Sequence, residues 1–319
     1  MAYPNLGDLV ATTARKFTRE IQDNVLLDNG LLNFLKDKGK VKGGVSGRTL
    51  VDPFIYGDNS SVQWYSGYDT FTPPTTQQVF DGAEYQWKQL GGFISISGRD
   101  RKMNRGKEEQ FSFFKTRLKQ IKSQLKNTLG LSIFSDGTGS GGKEIGGLQL
   151  LVADDPTAAG TVGGINQVTY SFWRNKYSAA AATTASNIRG RMNSMWLEIK
   201  RETDVPDVWV ADSYMYELYW EALQGLQRIM TAESGDSGYK NLYFKGAPVI
   251  YDGRCPTKHM YALNTEEIAL TANSDSEDTF LEVGEARQIA NADYEVVPVW
   301  FMGTMHTGRR AGHGVIIAS

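Results

Sequence analysis

The fifty residues from 49 to 98 contain no helical pattern, and this long strand-like stretch limits the possible folds more than any other feature of the chain. Its segments, among them TLVDPFIYG and SVQWYSGYDTF, are rich in β-branched and aromatic residues and are separated by glycines, as is typical of strands. The polar run at 72–78 predicts a turn within it. We expect a β-excursion that one compact domain cannot bury, so that side chains such as Trp64 and Trp87 need a partner surface.

One apolar stripe marks the next segment, residues 107–134, as a long helix. The apolar residues recur every three or four positions, and lysines and arginines fill much of the remaining surface. The stripe consists of Phe111, Phe114, Leu118, Ile121, Leu125 and Leu129. We expect a glycine within DGTGSGG to end this helix in a left-handed conformation.

The run GTGSGG, residues 137–142, formally fits the dinucleotide-binding fingerprint G-x-G-x-x-G. That fingerprint requires a strand before the glycines and a helix after them, because the pyrophosphate binds at the N-terminus of the helix. Here a helix precedes the glycines, and EIGGLQLLV at 144–152 is predicted to follow as a strand. We therefore interpret the glycines as a loop that ends a helix.

Charge is segregated along a chain whose formal net charge is only −2. Residues 98–126 contain ten Lys/Arg and three Asp/Glu, whereas residues 265–295 contain nine Asp/Glu and one Arg. The near-neutral total excludes a chain that is basic throughout, as a dedicated nucleic-acid binder would be. Either block alone is typical of a solvated surface, but two opposed blocks favour contacts between copies of the chain as a second interpretation.

The second half of the chain predicts a compact αβ body. Helices are expected at 187–202 and 213–230, on either side of a buried strand at 205–212. Short strands and turns follow, and the C-terminal run HGVIIAS is expected to complete a sheet. Three tryptophans within these patterns are predicted to pack in the core: Trp196, Trp209 and Trp220.

Near the N-terminus, residues 5–27 show the spacing of an amphipathic helix, and the lysine- and glycine-rich residues 36–48 predict a mobile or partner-ordered joint. No secretory signal is visible, and no window approaches about 18 consecutive apolar residues. We therefore expect a protein that has no membrane partner and is made in a cytosol-like compartment.

The residues that commonly carry chemistry are few and scattered. One cysteine excludes an internal disulfide, and three histidines without Cys-x-x-Cys or H-E-x-x-H spacing argue against a metal site. No nucleophile elbow or P-loop occurs. We therefore predict no catalytic, cofactor-binding or metal-binding residues and no enzymatic activity. A structural thiol is expected at Cys255, structural roles for the acid pairs Asp154–Asp155 and Glu266–Glu267, and a surface or interface cluster at Arg309, Arg310 and His313.

The order of these parts resembles that of the major capsid proteins of tailed bacteriophages, which have the Hong Kong 97-type fold. The stretch GGVSGRTLVDPFIYGDNSSVQWYSGYDTF is similar to the start of the extended loop of that family, and ISGRDRKMNRG to the junction with its long spine helix. Other similar stretches are DGTGSGGKEIGGLQLLVADDP after the helix, FKGAPVIYDG and MYALN in the axial domain, and RRAGHGVI in the closing strand. Together they cover most of the chain in the expected order.

The resemblance implies an α+β fold of the Hong Kong 97 type, with two arms attached to a body of two domains. The expected divisions are an N-terminal arm at 1–47, an extended β-loop at 48–98, a peripheral domain at 99–205 with the spine helix at about 107–134, an axial domain at 206–282, and a return to the peripheral domain with the C-terminal strand at 283–319.

The resemblance also implies a structural function: self-assembly, as hexamers and pentamers, into an icosahedral or prolate head that encloses double-stranded DNA. The expected partners are further copies of the chain, a separate scaffold protein, a portal, decoration proteins and, without sequence specificity, the packaged DNA. The expected location is the virion, after synthesis in the cytoplasm of the bacterial host. Two alternatives stay open: an encapsulin-type nanocompartment shell with the same fold, and an enzyme with a cryptic site.

Overall fold

The computed structural model describes residues 30–57, 62–70, 80–103, 107–180, 182–227, 242–274 and 281–318. The helix predicted at 5–27 and the side chains of Phe111 and Phe114 lie outside what it describes. The helices are α1 (Gly30–Asp37), α2 (Gly98–Met103), α3 (Lys107–Ser132), α4 (Gly139–Gly142), α5 (Leu148–Leu151), α6 (Ile188–Ile199) and α7 (Ser213–Gln227). The strands are β1 (Val41–Lys42), β2 (Thr49–Ile55), β3 (Phe80–Gln86), β4 (Lys88–Ser97), β5 (Thr161–Val162), β6 (Ile165–Asn166), β7 (Lys176–Ala180), β8 (Val208–Ala211), β9 (Leu242–Phe244), β10 (Ala247–Tyr251), β11 (His259–Leu263), β12 (Ile268–Ala272), β13 (Glu282–Val283), β14 (Arg287–Gln288), β15 (Tyr294–Thr307) and β16 (Gly314–Ala318).

Strand β15 is the centre of the first sheet, and β12, β13, β14 and β4 all pair with it. Strand β1 joins the sheet by pairing in parallel with β12. The expectation of a mobile or partner-ordered joint at 36–48 is therefore wrong in part, because β1 is a strand of the body. Strand β4 pairs antiparallel with β15 along its whole length, Lys88–Ser97. The predicted β-excursion is accordingly shorter than 48–98, since its last strand belongs to the body.

The long helix α3 lies across one face of this sheet. Its stripe residues Leu118, Ile121 and Leu125 pack against apolar side chains of β4 and β15. A glycine in β4 allows the close approach, since a Cβ atom at Gly92 would lie 2.8 Å from Cδ1 of Ile121. Burial of one leucine contributes roughly 2 kcal/mol, so packing on the sheet holds the helix more than intrinsic propensity does. The predicted helix is confirmed over Lys107–Ser132.

The segment predicted as a strand at 144–152 is instead a helical turn, α5. The chain folds back over the end of α3, and the amide of Leu148 donates to the carbonyl of Ile133, a group near the helix C-terminus that needs a partner. Leu148 and Leu151 are buried at a helical spacing, and a short apolar run does not distinguish a strand from a helix by itself. The prediction that a left-handed glycine ends α3 is wrong, because α3 ends at Ser132 and Gly137, at a φ of +79°, lies five residues further on. The helix ends instead in a tight turn, in which the amides of Phe134 and Ser135 donate to the carbonyls of Leu131 and Ser132.

The second sheet has the order β7-β16-β11-β8-β10-β9. Helices α6 and α7, which confirm the helices predicted from 187 and 213, pack on one of its faces around Trp209 and Met215. The alternate residues Val208 and Val210 face the main core, so β8 is buried on both sides. Strand β16 lies between β7 and β11, which confirms that the C-terminal run completes a sheet.

Candidate assembly surfaces

A two-stranded ribbon forms the root of the predicted excursion. Strands β2 and β3 pair antiparallel from Thr49–Gln86 to Ile55–Phe80 and, within the part of the chain described, make a sheet of their own. We call residues 49–86 the arm, and residues 62–70 between its strands the arm tip. Two strands alone are at best marginally stable in water. The arm therefore depends on contacts with the body at its root.

The arm tip presents large apolar side chains to solvent, and all nine of its residues are exposed. The exposed fractions are 84% for Val62, 102% for Trp64, 67% for Tyr65 and 102% for Tyr68. Aromatic residues are enriched at protein interfaces, and a concentrated exposed apolar patch indicates a binding surface. Trp64 is therefore accessible to a partner surface, as its predicted role requires. Trp87 differs, because it is partly buried and its Nε1–H donates to the carbonyl of Gly47 at 3.0 Å.

The basic and acidic blocks of the sequence meet within one chain. Because β4 runs antiparallel to β15, the start of the basic block lies beside the end of the acidic block. The amide of Gly98 donates to the carbonyl of Asp293 at 2.8 Å. Farther along α3, Lys119 and Lys126 are exposed. The start of the basic block and the end of the acidic block are thus neighbours, whereas the later part of the basic block forms a basic surface on α3.

The predicted surface cluster at Arg309, Arg310 and His313 is wrong for two of its members, because Arg310 and His313 are fully buried. Arg310 donates from Nε to a backbone carbonyl of α5 at 2.7 Å. Its Nη atoms donate to Oε1 of Gln167 at 3.0 Å and to Oδ1 of Asn175 at 3.1 Å. Burial lowers the pKa of Arg310 to about 10 and, together with the neighbouring arginines, that of His313 to about 3. Both residues are structural.

The predicted core tryptophans differ in their burial. Trp209 is fully buried, as predicted. Trp220 is 43% exposed, because the buried stripe of α7 passes through Tyr219 and the next residue lies about 100° around the helix. Trp196 is half-buried, and Nζ of Lys245 lies 3.8 Å from the centroid of its ring. The prediction is therefore wrong for Trp220.

The other candidate residues have structural surroundings. Cys255 is buried, and burial raises the pKa of its thiol, as is expected for a structural thiol. Asp154 contacts Nε2 of His259 at 3.0 Å, and Asp155 accepts a hydrogen bond from the amide of Thr157 in a turn. Among the residues described, no group of three or more His, Cys, Asp or Glu side chains could hold a metal ion. In the same ranges, no helix has the length and apolar character needed to cross a membrane.

No protein-family model matches the chain, and no curated protein matches it either. Solved structures do match it along nearly its whole length. The capsid of Cyanophage A-1(L) has a TM-score of 0.70 at 15% sequence identity, and the match covers 95% of this chain and 96% of that chain. The holo-SrpI encapsulin complex of Synechococcus elongatus PCC 7942 has a TM-score of 0.62 at 10% identity, over 99% of this chain and 96% of that chain. The capsid of the native GTA particle has a TM-score of 0.61 at 12% identity, over 96% and 95%. At these identities the likeness shows a common fold.

Proposed function

We propose that this chain, which has the α+β fold of the Hong Kong 97 type, is the structural subunit of a protein shell, and in particular the major capsid protein of a tailed bacteriophage. The observation that carries the proposal is the arm tip, where Trp64 and Tyr68 are exposed like the aromatic residues of an interface. The fold it shares with capsid subunits supports the same function. The role is structural and not catalytic.

In the proposed shell, the arm tip of each copy lies across a neighbouring copy. The part of the predicted N-terminal arm (1–47) that precedes α1 reaches under another copy, since α1 and β1 pack in the body. Burying one aromatic ring of the tip removes roughly 200 Å² from water, which is on the order of 5 kcal/mol before the entropy of association is subtracted. After that subtraction, the free energy gained from each contact is small by itself. A closed shell repeats the contact in every subunit, so its stability is distributed over many copies.

The body in this proposal has a peripheral domain built on the sheet around β15, with α3 as the spine helix, and an axial domain built on the sheet that contains β8 and β11. Compared with the predicted bounds of 99–205 and 283–319 for the peripheral domain and 206–282 for the axial domain, β12 moves to the peripheral domain, and β7, α6 and β16 move to the axial domain. Hexamers and pentamers of the chain form an icosahedral or prolate head in the virion, with a separate scaffold protein, a portal and decoration proteins as partners. The exposed lysines of α3 contact the phosphates of packaged double-stranded DNA, without reading its sequence.

A second candidate function is an encapsulin-type nanocompartment, because an encapsulin matches 99% of this chain in the same fold. The contents of purified particles distinguish the two functions. Nuclease-protected double-stranded DNA inside the shell would support the capsid, whereas a cargo enzyme without DNA would support the nanocompartment.

Replacing the arm beyond its paired strands, including the arm tip, with a short turn tests the role of the tip in assembly. Because Ile55 and Phe80 are paired across the ribbon, residues 56–79 can be exchanged for Asn-Gly, which closes a two-residue hairpin. We expect a chain with the circular dichroism of a folded body that forms no shells in sedimentation and electron microscopy. Trp64→Ser should weaken assembly, and Gln63→Ser, beside it in the tip, is the matched control. Normal shells from the Asn-Gly variant would refute the role of the tip.

A further inference from the structure

The root of the arm is tied to the body by a polar contact between residues 254 positions apart in the sequence. Oδ2 of Asp52, in β2, lies 2.6 Å from Nδ1 of His306, in β15. The other ring nitrogen of His306, Nε2, lies 2.9 Å from Oγ1 of Thr271 in β12. The side chains of Asp52 and His306 are only 19% and 15% exposed. The carboxylate of Asp52 thus contacts an imidazole whose second ring nitrogen is held by Thr271. Because the side chains of Asp52 and His306 have little access to water, we expect this contact to be strong.

Two further contacts hold the same root. On β3, the hydroxyl of Tyr85 donates to the carbonyl of Thr307 at 2.8 Å, in buried surroundings. On β2, the ring of Phe54 stacks on that of Trp173, with the two centroids 5.1 Å apart. Both strands of the ribbon are therefore fixed to the body, whereas the nine residues of the arm tip are exposed.

We propose that these contacts form a locked joint, which sets the direction of the arm on the single chain and has the Asp52–His306 contact as its central tie. A fixed root holds the arm in one orientation before its tip binds a second copy. Less conformational freedom is then lost on binding, which favours association. The joint is a property of the single chain, and it holds whether or not the chain forms a shell.

Hydrogen exchange of the unassembled full-length chain tests the joint, with peptides from 49–55 and 80–86 as the readout. Asp52→Ala and His306→Ala each remove one side of the tie, and each should raise exchange in both peptides about tenfold or more. Because both substitutions remove the same contact, the double variant should exceed the larger single effect by less than about threefold. The matched control is Glu84→Ala, which removes an exposed carboxylate from the same ribbon and should leave exchange unchanged.

Three results would overturn the proposal. Exchange in the two arm peptides could stay at the level of the parent chain in both single variants. The effects of the two substitutions could multiply in the double variant, which would mean that they act independently. Exchange could also rise equally in peptides from β11 and β16, because the contact would then stabilise the whole body and not the joint.

Discussion

Replacing Arg310 with methionine removes a fully buried guanidinium from the body of the protein. The guanidinium donates to five acceptors in α5 and in the segment after β6. These acceptors are the backbone carbonyls of Leu150, Leu151 and Trp173 and the side-chain oxygens of Gln167 and Asn175. Arg310 therefore joins the turn between β15 and β16 to two other segments, and its loss should lower the free energy of unfolding.

The size of this loss follows from the acceptors. Methionine avoids burying a charge, and that burial is what lowers the pKa of Arg310 to about 10. It also leaves buried oxygens without a donor, at about 1–3 kcal/mol for each. The bonds at 2.7, 3.0 and 3.1 Å account for most of the effect. We expect a net loss of about 3–5 kcal/mol, as when other buried charge networks are broken.

Urea unfolding of the unassembled chain, followed by circular dichroism, measures this loss. With a slope of about 3 kcal/mol per molar urea, the midpoint should fall by about 1 M or more. The matched control is Arg309→Met. Arg309 pairs with Asp204 at 2.7 Å, and the side chain of Asp204 is 43% exposed, so the control should lose less than about 1 kcal/mol. Equal midpoints for the two variants would refute the reasoning about the buried network.

Two further predictions concern local contacts. Burial acts to lower the pKa of His259, but its hydrogen bond to Asp154 and the charge of that carboxylate raise it overall. This contact therefore stabilises the fold fully below about pH 6.5, and the contribution is lost as the pH rises through the raised pKa. Asp154→Asn should accordingly lower the free energy of unfolding more at pH 5.5 than at pH 9, and an equal loss at both would contradict the assignment. Gly92→Ala should lower the free energy of unfolding by about 1–2 kcal/mol, because the new methyl group meets the side chain of Ile121. Gly91→Ala places its methyl group 3.8 Å from the nearest atom and should change little, so equal losses at the two glycines would contradict the close packing of α3.

Helix α3 could be predicted because its signal is local. The stripe residues Leu118, Ile121 and Leu125 lie on one face of a helix whatever surface that face meets. Strand partners are different, since the residue types of β2 and β4 both indicate strands and neither identifies its neighbour. Strand β4 belongs to the body because it pairs with β15, whereas β2 pairs with β3 and belongs to the arm.

The candidate surfaces were predictable to a similar extent. The exposed aromatic residues of the arm tip follow from a stretch with more strand than one domain can bury. The joint has no comparable signal, because Asp52 and His306 are ordinary polar residues far apart in the sequence. Arg310 is expected at the surface because charged side chains are rarely buried. Three of its acceptors are backbone carbonyls, which every residue carries, so no residue type in the sequence indicates its burial.

Electron microscopy of native particles that contain this chain, combined with light scattering, tests the central claim most directly. We predict closed shells of uniform size, built from hexamers and pentamers, with this chain as their main component and double-stranded DNA inside. Native material that contains only small, discrete oligomers would contradict the claim that the chain forms a shell.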